Sequence, residues 1–132
     1  MKILCRAVTP VIQAGPMVNK LGKYLNKNLI GAFKFKTSSN MCDVYLTFLF
    51  QRPWPGLGTV DDVHEVTMDL NITTYANKIR VNIIEMTPQE RTLACVVFDP
   101  NKIGDLEVMK QKVEAKVLSS LDNAYEGYEI LY

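Results

Sequence analysis

Residues 65–83 read EVTMDLNITTYANKIRVNI, and the alternation of apolar and polar side chains in this stretch decides the fold. The apolar positions are Val66, Met68, Leu70 and Ile72, followed after the Ala-Asn pair at 76 and 77 by Ile79, Val81 and Ile83. Successive side chains of a β-strand point to opposite faces, so this alternation is typical of strands with one buried and one wet face. The stretch therefore predicts two antiparallel strands that are joined by a turn at residues 76 and 77.

The same period of two recurs on both sides of this hairpin. The apolar positions of these further runs are Phe33 and Phe35, then Cys42, Val44, Leu46, Phe48 and Phe50, and finally Leu93, Cys95 and Val97. Together with the hairpin, the runs predict five antiparallel strands in a meander. We expect the apolar positions to lie on its buried face and Asp43, Tyr45, Glu65, Asp69 and Arg80 to lie on its wet face.

Two amphipathic helices flank the predicted strands. Gly15 and Pro16 favour the start of the first helix, because proline is common at the first helical position, and Gly31 is expected to end it. The second helix is predicted from about Asp105, a residue type that caps helix N-termini, to about Tyr125. The apolar stripes are Met17, Val18, Leu21, Leu25 and Leu29 in the first helix, and Leu106, Met109, Val113, Val117, Leu121 and Ala124 in the second.

The chain of 132 residues has the length of one domain, so residues 1–132 are interpreted as a single α+β domain. A sheet with one apolar face must cover that face, and two amphipathic helices are available to do so. The predicted architecture is a two-layer sandwich in which the N-terminal and C-terminal helices pack on one face of a five-stranded antiparallel meander. A sheet curved round one helix, with a cavity, is the alternative. Residues 1–9 are compatible with a short strand, and the apolar tail at 128–132 is expected to pack.

The sequence contains no motif for nucleotide binding, hydrolysis or metalloprotease chemistry. Its single histidine, His64, has the phase of Val66 and is expected at the rim of the core rather than as a metal ligand or general base. Cys5, Cys42 and Cys95 are too widely spaced for a zinc site or a disulfide framework, and free thiols fit a reducing compartment. We therefore predict no catalytic residue, metal or cofactor, and an intracellular, most simply cytoplasmic, protein.

Positive charge is concentrated at the start of the chain. Residues 1–42 contain seven basic and no acidic residues, although the whole chain carries a net charge of only +1. An acid-free N-terminal region is also found in mitochondrial and plastid transit peptides, so these organelles are alternative locations. Lysines that could contact nucleic-acid phosphates are Lys20, Lys23, Lys27, Lys34 and Lys36. No apolar run approaches the length of a membrane span, and no membrane contact is predicted.

The loop QRPWPGLG at residues 51–58 places the only tryptophan of the chain between two prolines. Trp and Arg are enriched in interface hot spots, so Arg52, Trp54 and Leu57 are the candidate anchors for a protein partner. The structural alternative is that Trp54 folds back and covers one end of the sheet. An edge strand of the meander is a second candidate surface, because it could pair with another copy of the chain.

These observations favour a non-catalytic protein-binding domain, such as an adaptor, an assembly factor or a complex subunit. A nucleic-acid-associated protein that uses the five lysines is one alternative. A small-ligand binder or enzyme, with a cavity between the sheet and a helix, is the other.

Overall fold

The computed structural model describes residues 13–51 and 63–131, which form an antiparallel sheet and two helices. The elements are α1 (Ala14–Asn28), β1 (Ala32–Thr37), β2 (Met41–Gln51), β3 (Val63–Tyr75), β4 (Lys78–Thr87), β5 (Arg91–Phe98), α2 (Leu106–Ala124) and β6 (Glu129–Leu131). The first five strands lie side by side in chain order, and every neighbouring pair is antiparallel. The predicted α+β meander with one helix before it and one after it is confirmed.

The turn between β3 and β4 is a two-residue turn at the predicted position. Tyr75 pairs with Lys78, and both central residues are left-handed, with φ of 51° at Ala76 and 57° at Asn77. Positive φ at both positions is the geometry that matches the twist of the flanking strands. The Asn77 Oδ1 atom also accepts a hydrogen bond of 3.0 Å from the backbone N–H of Ala14, so the turn supplies a partner for a donor at the start of α1.

The apolar tail packs as a short sixth strand. β6 pairs with the end of β2, where Phe50 lies opposite Ile130 and Gln51 opposite Glu129. β1 pairs with the earlier part of β2 along the same edge, from Cys42 to Leu46. The expectation that the tail packs is confirmed for residues 129–131, and the sheet has one strand more than predicted.

Both helices cover the same face of the sheet and bury the alternating apolar residues. The helices contribute Val18, Leu21, Leu25, Met109, Val113, Val117 and Leu121 to this core. The strands contribute Cys42, Val44, Leu46, Phe48, Phe50, Val66, Met68, Leu70, Ile72, Ile79, Val81, Ile83 and Phe98. The side chain of Asp105 caps α2 by accepting a hydrogen bond from the N–H of Glu107, as predicted. Neither described helix combines the length and apolar composition that crossing a membrane requires.

The prediction that Phe33 lies in the core is wrong. Its side chain is 57% exposed, and its ring lies 6.4 Å from the ring of Tyr45 on the opposite face. The register between β1 and β2 shifts between Ala32 and Lys34, so the alternation is broken at Phe33. Of the two phenylalanines predicted in the core, Phe35 packs against it and Phe33 does not.

The predicted phase of β5 is also wrong beyond Leu93. Ile83 pairs with Ala94 and Ile84 pairs with Thr92, so Leu93 is an extra residue that forms a bulge. After the bulge the even-numbered residues face the helices, and Phe98 is buried. Cys95 and Val97, which were expected in the core, are exposed instead.

The approach of α1 to the sheet depends on Gly22, which leads to a testable prediction. A Cβ atom at this position would lie 2.5 Å from Cys42 Sγ and 2.6 Å from a ring carbon of Phe35. We expect Gly22→Ala to lower the free energy of unfolding by about 1–3 kcal/mol, because the helix must move away from its neighbours. Chemical denaturation monitored by circular dichroism measures this change.

Gly15→Ala is the matched control for that substitution. A Cβ atom at Gly15 meets nothing within 4 Å, so this variant should be unchanged or more stable by up to about 1 kcal/mol. Equal stability of the two variants would contradict the close packing of α1 on β1 and β2.

Candidate functional site

The candidate protein anchors in the loop are not placed by the structure. Arg52, Trp54 and Leu57 lie outside the described residues. The hypothesis that this loop holds a partner therefore stays a prediction from the sequence.

The five candidate lysines lie in two groups. Lys20, Lys23 and Lys27 are exposed on α1, where they share a surface depression with Tyr24 and Leu106. On the opposite side of the sheet, the Lys34 ammonium lies 5.8 Å from the centre of the Tyr45 ring, and Lys36 is on the same face of β1 two residues later. The two groups therefore lie on opposite sides of the sheet.

The face of the sheet opposite the two helices carries a row of polar side chains across three strands. Asn71 donates a hydrogen bond of 2.9 Å to Asp43, and Asn82 donates one of 3.4 Å to Asn71. Arg80 lies with its guanidinium 4.6 Å from the centre of the Tyr75 ring. The five residues predicted on the wet face all lie out of phase with the buried positions of their strands, which confirms the prediction for Asp43, Tyr45, Glu65, Asp69 and Arg80. Among residues 13–51 and 63–131, the row is linked by amide hydrogen bonds and not by ion pairs.

Asp69 is the strongly perturbed carboxyl group on this face. Its Oδ1 atom is buried and has no hydrogen-bond partner among the described residues. Burial raises the pKa of Asp69 to about 7, and the neighbouring Asp43 carboxyl contributes to the increase through a hydrogen bond and its charge. The pair therefore holds an extra proton at mildly acidic pH. Within the same part of the chain, no group of three or more His, Cys, Asp or Glu side chains could hold a metal ion.

A carboxylate that sequence reasoning did not single out lies within the core. Glu85 has no exposed surface, and its Oε1 atom accepts from Arg91 Nε and Nη2, both at 3.1 Å. Its Oε2 atom accepts from the Tyr125 hydroxyl at 2.7 Å and from the N–H of Gln89 at 3.3 Å. Burial and the bond to Glu85 raise the pKa of Tyr125 to about 12. The four bonds join β4, the start of β5 and the residue that ends α2.

Aromatic rings extend this cluster towards β2, β3 and β6. The Tyr125 ring stacks on Phe50 with centres 4.9 Å apart, and Tyr128 meets Tyr125 edge-on at 5.9 Å. His64 lies edge-on to Tyr128 at 5.5 Å and is half-buried, which confirms its predicted position at the rim of the core. These contacts fix the end of α2 against the sheet.

A shallow, open concave surface lies between β5 and α2, and we call it the β5–α2 groove. It consists of two adjoining concavities of about 610 and 320 Å³, which share Lys116 and Ser119. Seven consecutive residues of β5, 91–97, line one side. Since neighbouring side chains on a strand point to opposite faces, a wall of consecutive residues shows that β5 presents its edge to the groove.

The β5–α2 groove is positively charged. Its α2 side is lined by Lys112, Ala115, Lys116, Ser119, Ser120, Asn123 and Ala124. Among residues 13–51 and 63–131, no carboxylate lines either concavity. Lys112 and Lys116 are exposed, and neither has a salt-bridge partner among the described residues. Arg91 lies at the other end, but Glu85 neutralises its charge. The uncompensated positive charge therefore lies beside residues 95–97.

A smaller hollow lies among α1, β2 and α2. It measures about 80 Å³ and is lined mainly by apolar residues, including Leu29, Phe48 and Val117. Binding sites for metabolite-sized ligands measure about 300–1,000 Å³. This hollow is thus too small for the ligand-filled cavity of the alternative hypothesis.

Sequence reasoning did not identify Lys112, Lys116 or Glu85. Both lysines look like the solvated side of an amphipathic helix, and nothing in the sequence shows that a strand edge runs beside them. Glu85 left a recognisable signal, because it follows Ile79, Val81 and Ile83 in the apolar phase of β4.

Comparison with known proteins adds no functional information. No family model, curated protein or solved structure matches the chain.

The protonation of Asp69 makes stability depend on pH. Its folded pKa is about 7 and its ordinary value is 3.8, so the folded state binds more protons between these values. The free energy of unfolding should therefore fall as pH rises from about 4 to 7. We expect Asp69→Asn, which mimics the protonated carboxyl, to raise the melting temperature at pH 8 and to change it little at pH 4.

Melting curves of the wild type, Asp69→Asn and Asp43→Asn between pH 4 and pH 8 test this expectation. Asp43→Asn should also raise stability at pH 8, because it removes the negative charge beside Asp69. A wild-type pH profile that Asp69→Asn leaves unaltered would contradict the assignment.

Proposed function

We propose that this chain is a non-catalytic protein-binding domain that adds an extended segment of a partner protein to the edge of β5. The observation that carries the proposal is the β5–α2 groove, in which seven consecutive residues of β5 line a concave surface beside a helix. A peptide that adds a strand to an exposed sheet edge gains affinity from main-chain hydrogen bonds and specificity from pockets for its alternate side chains.

The part of β5 that suits such pairing is its C-terminal half. Ala94, Val96 and Phe98 pair in regular register with β4, whereas the bulge at Leu93 interrupts the strand before them. Among the described strands, β5 has β4 as its single neighbour. An edge of this kind presents unpaired N–H and C=O groups at a regular spacing.

The charge of the groove favours a partner protein over a second copy of the chain. Pairing two β5 strands antiparallel about a two-fold axis would place both α2 helices side by side on the same face of the joined sheet. Lys112 and Lys116 of the two copies would then face each other without intervening carboxylates. Such like-charge contacts oppose the dimer, whereas a segment with negative charge complements the groove.

The nucleic-acid alternative has weaker support than it had from the sequence. Lys34 lies on one side of the sheet and the three lysines of α1 lie on the other, so the five lysines do not share one contact surface for a phosphate backbone. The loop with Arg52, Trp54 and Leu57 remains a second candidate surface for a protein partner. The Trp54→Ala variant tests it in the experiment below.

Charge reversal in the groove tests the proposed function. The tagged protein and its Lys112→Glu/Lys116→Glu variant are recovered from cells, and the bound proteins are quantified by mass spectrometry. We expect the variant to retain about tenfold less of the specific partner, because reversal replaces attraction by repulsion. Amide hydrogen exchange of the purified complex should then show protection at residues 94–98 that the free domain lacks.

Lys20→Glu/Lys23→Glu is the matched control, because it makes the same change in net charge on α1. This control variant should retain the partner protein, and nuclease treatment should not release the partner from it. If this control variant loses the partner protein, and nuclease releases the partner from the wild type, the nucleic-acid alternative is favoured. Loss confined to Trp54→Ala, without protection of β5, would move the binding site to the loop.

A further inference from the structure

The two uncompensated lysines of the β5–α2 groove have a spacing that matches an extended chain. Lys112 and Lys116 are four residues apart on α2, which corresponds to about 6 Å along the helix axis. Side chains two residues apart on the same face of a strand are separated by about 6.6 Å. A strand laid along β5 can therefore present two consecutive same-face side chains to the two lysines.

We propose, building on the strand-addition function, that the partner segment carries Asp or Glu at two positions separated by one residue. These two carboxylates face α2 and pair with Lys112 and Lys116. Within residues 13–51 and 63–131, neither lysine has a salt-bridge partner and no lining residue contributes a competing carboxylate. The groove thus recognises an acidic pair of defined spacing and not negative charge in general.

The position of the acidic pair follows from the charge balance along the groove. Arg91 is bonded through two nitrogens to the buried Glu85 and stacks against Tyr125 at 5.7 Å, so its charge is already compensated. Lys112 and Lys116 line the concavity beside Cys95, Val96 and Val97. The acidic pair therefore lies opposite residues 95–97, beyond the bulge.

The residue between the two acids has a different environment. It points to the opposite face of the extended sheet, since side chains alternate along a strand. On that face the next strand presents Val97, which is 51% exposed, and the exposed Cys95. An apolar side chain fits there, so the recognised pattern is acidic–apolar–acidic.

Synthetic peptides test this pattern on the purified full chain. The first is a blocked heptapeptide with threonine ends and a valine–glutamate–valine–glutamate–valine centre. The second contains the same residues with the two glutamates adjacent, so that they point to opposite faces. The third replaces both glutamates by glutamine. We expect the first peptide to bind about five- to tenfold more tightly than either of the others, as two partly exposed ion pairs allow.

Charge exchange provides the control against misfolding. The Lys112→Glu/Lys116→Glu variant should reverse the preference and bind the peptide with lysine at both glutamate positions more tightly than the first peptide. Lys20→Glu/Lys23→Glu should retain the wild-type preference. Reversal of this kind requires a folded groove, so it cannot arise from loss of structure.

Amide exchange of β5 separates failure of this inference from failure of the proposed function. If the glutamine peptide or the adjacent-glutamate peptide binds as tightly as the first and protects residues 94–98, strand addition stands and the acidic pattern is overturned. If none of the peptides protects these residues, both the pattern and strand addition at β5 are overturned.

Discussion

Burial of the Glu85 carboxylate is the constraint that holds the two sides of the groove together. A charged group without solvent contact is stable only when hydrogen bonds and opposite charge compensate for lost hydration. Here the compensation comes from Arg91 at the start of β5 and from Tyr125 at the end of α2. The hydrogen bonds that Arg91 and Tyr125 donate to Glu85 therefore fix the separation between β5 and α2. The β5–α2 groove depends on that separation.

The strand meander was predictable because its signal is local. Alternation from Val66 to Ile72 assigns the faces of β3, and the Ala-Asn pair marks the turn to β4. The prediction was wrong where one strand contains an extra residue that has no pairing partner on the adjacent strand. The register shifts at Phe33 and at Leu93. In β1 only Phe33 changes face, whereas the bulge at Leu93 reverses the later face assignments in β5. A bulge requires no particular residue type, so the sequence alone does not reveal it.

The candidate site was not predictable because it belongs to no single segment. Residues 91–97 and 112–124 are each ordinary in composition, and only the packing of α2 against β5 turns them into one surface. Sequence reasoning instead selected segments with unusual local composition, namely the Trp54 loop and the lysines before residue 37. Lysines that looked contiguous in the chain were separated by the sheet, because α1 lies on one face and the Lys34 side chain on the other. Tertiary contacts, not composition, decide which charges act together.

The hydrogen bond from Ala14 to Asn77 has a consequence for the order of folding. The cap residue Gln13 makes no side-chain bond to the helix, and the donor at the start of α1 is satisfied from a turn 63 residues further along the chain. An isolated helix forms within about a microsecond and a hairpin within about ten, so α1 can appear first. Its first turn nevertheless gains its partner only when the β3–β4 turn has formed. The start of the helix thereby depends on the hairpin, since opening of the β3–β4 turn removes this acceptor from the Ala14 N–H.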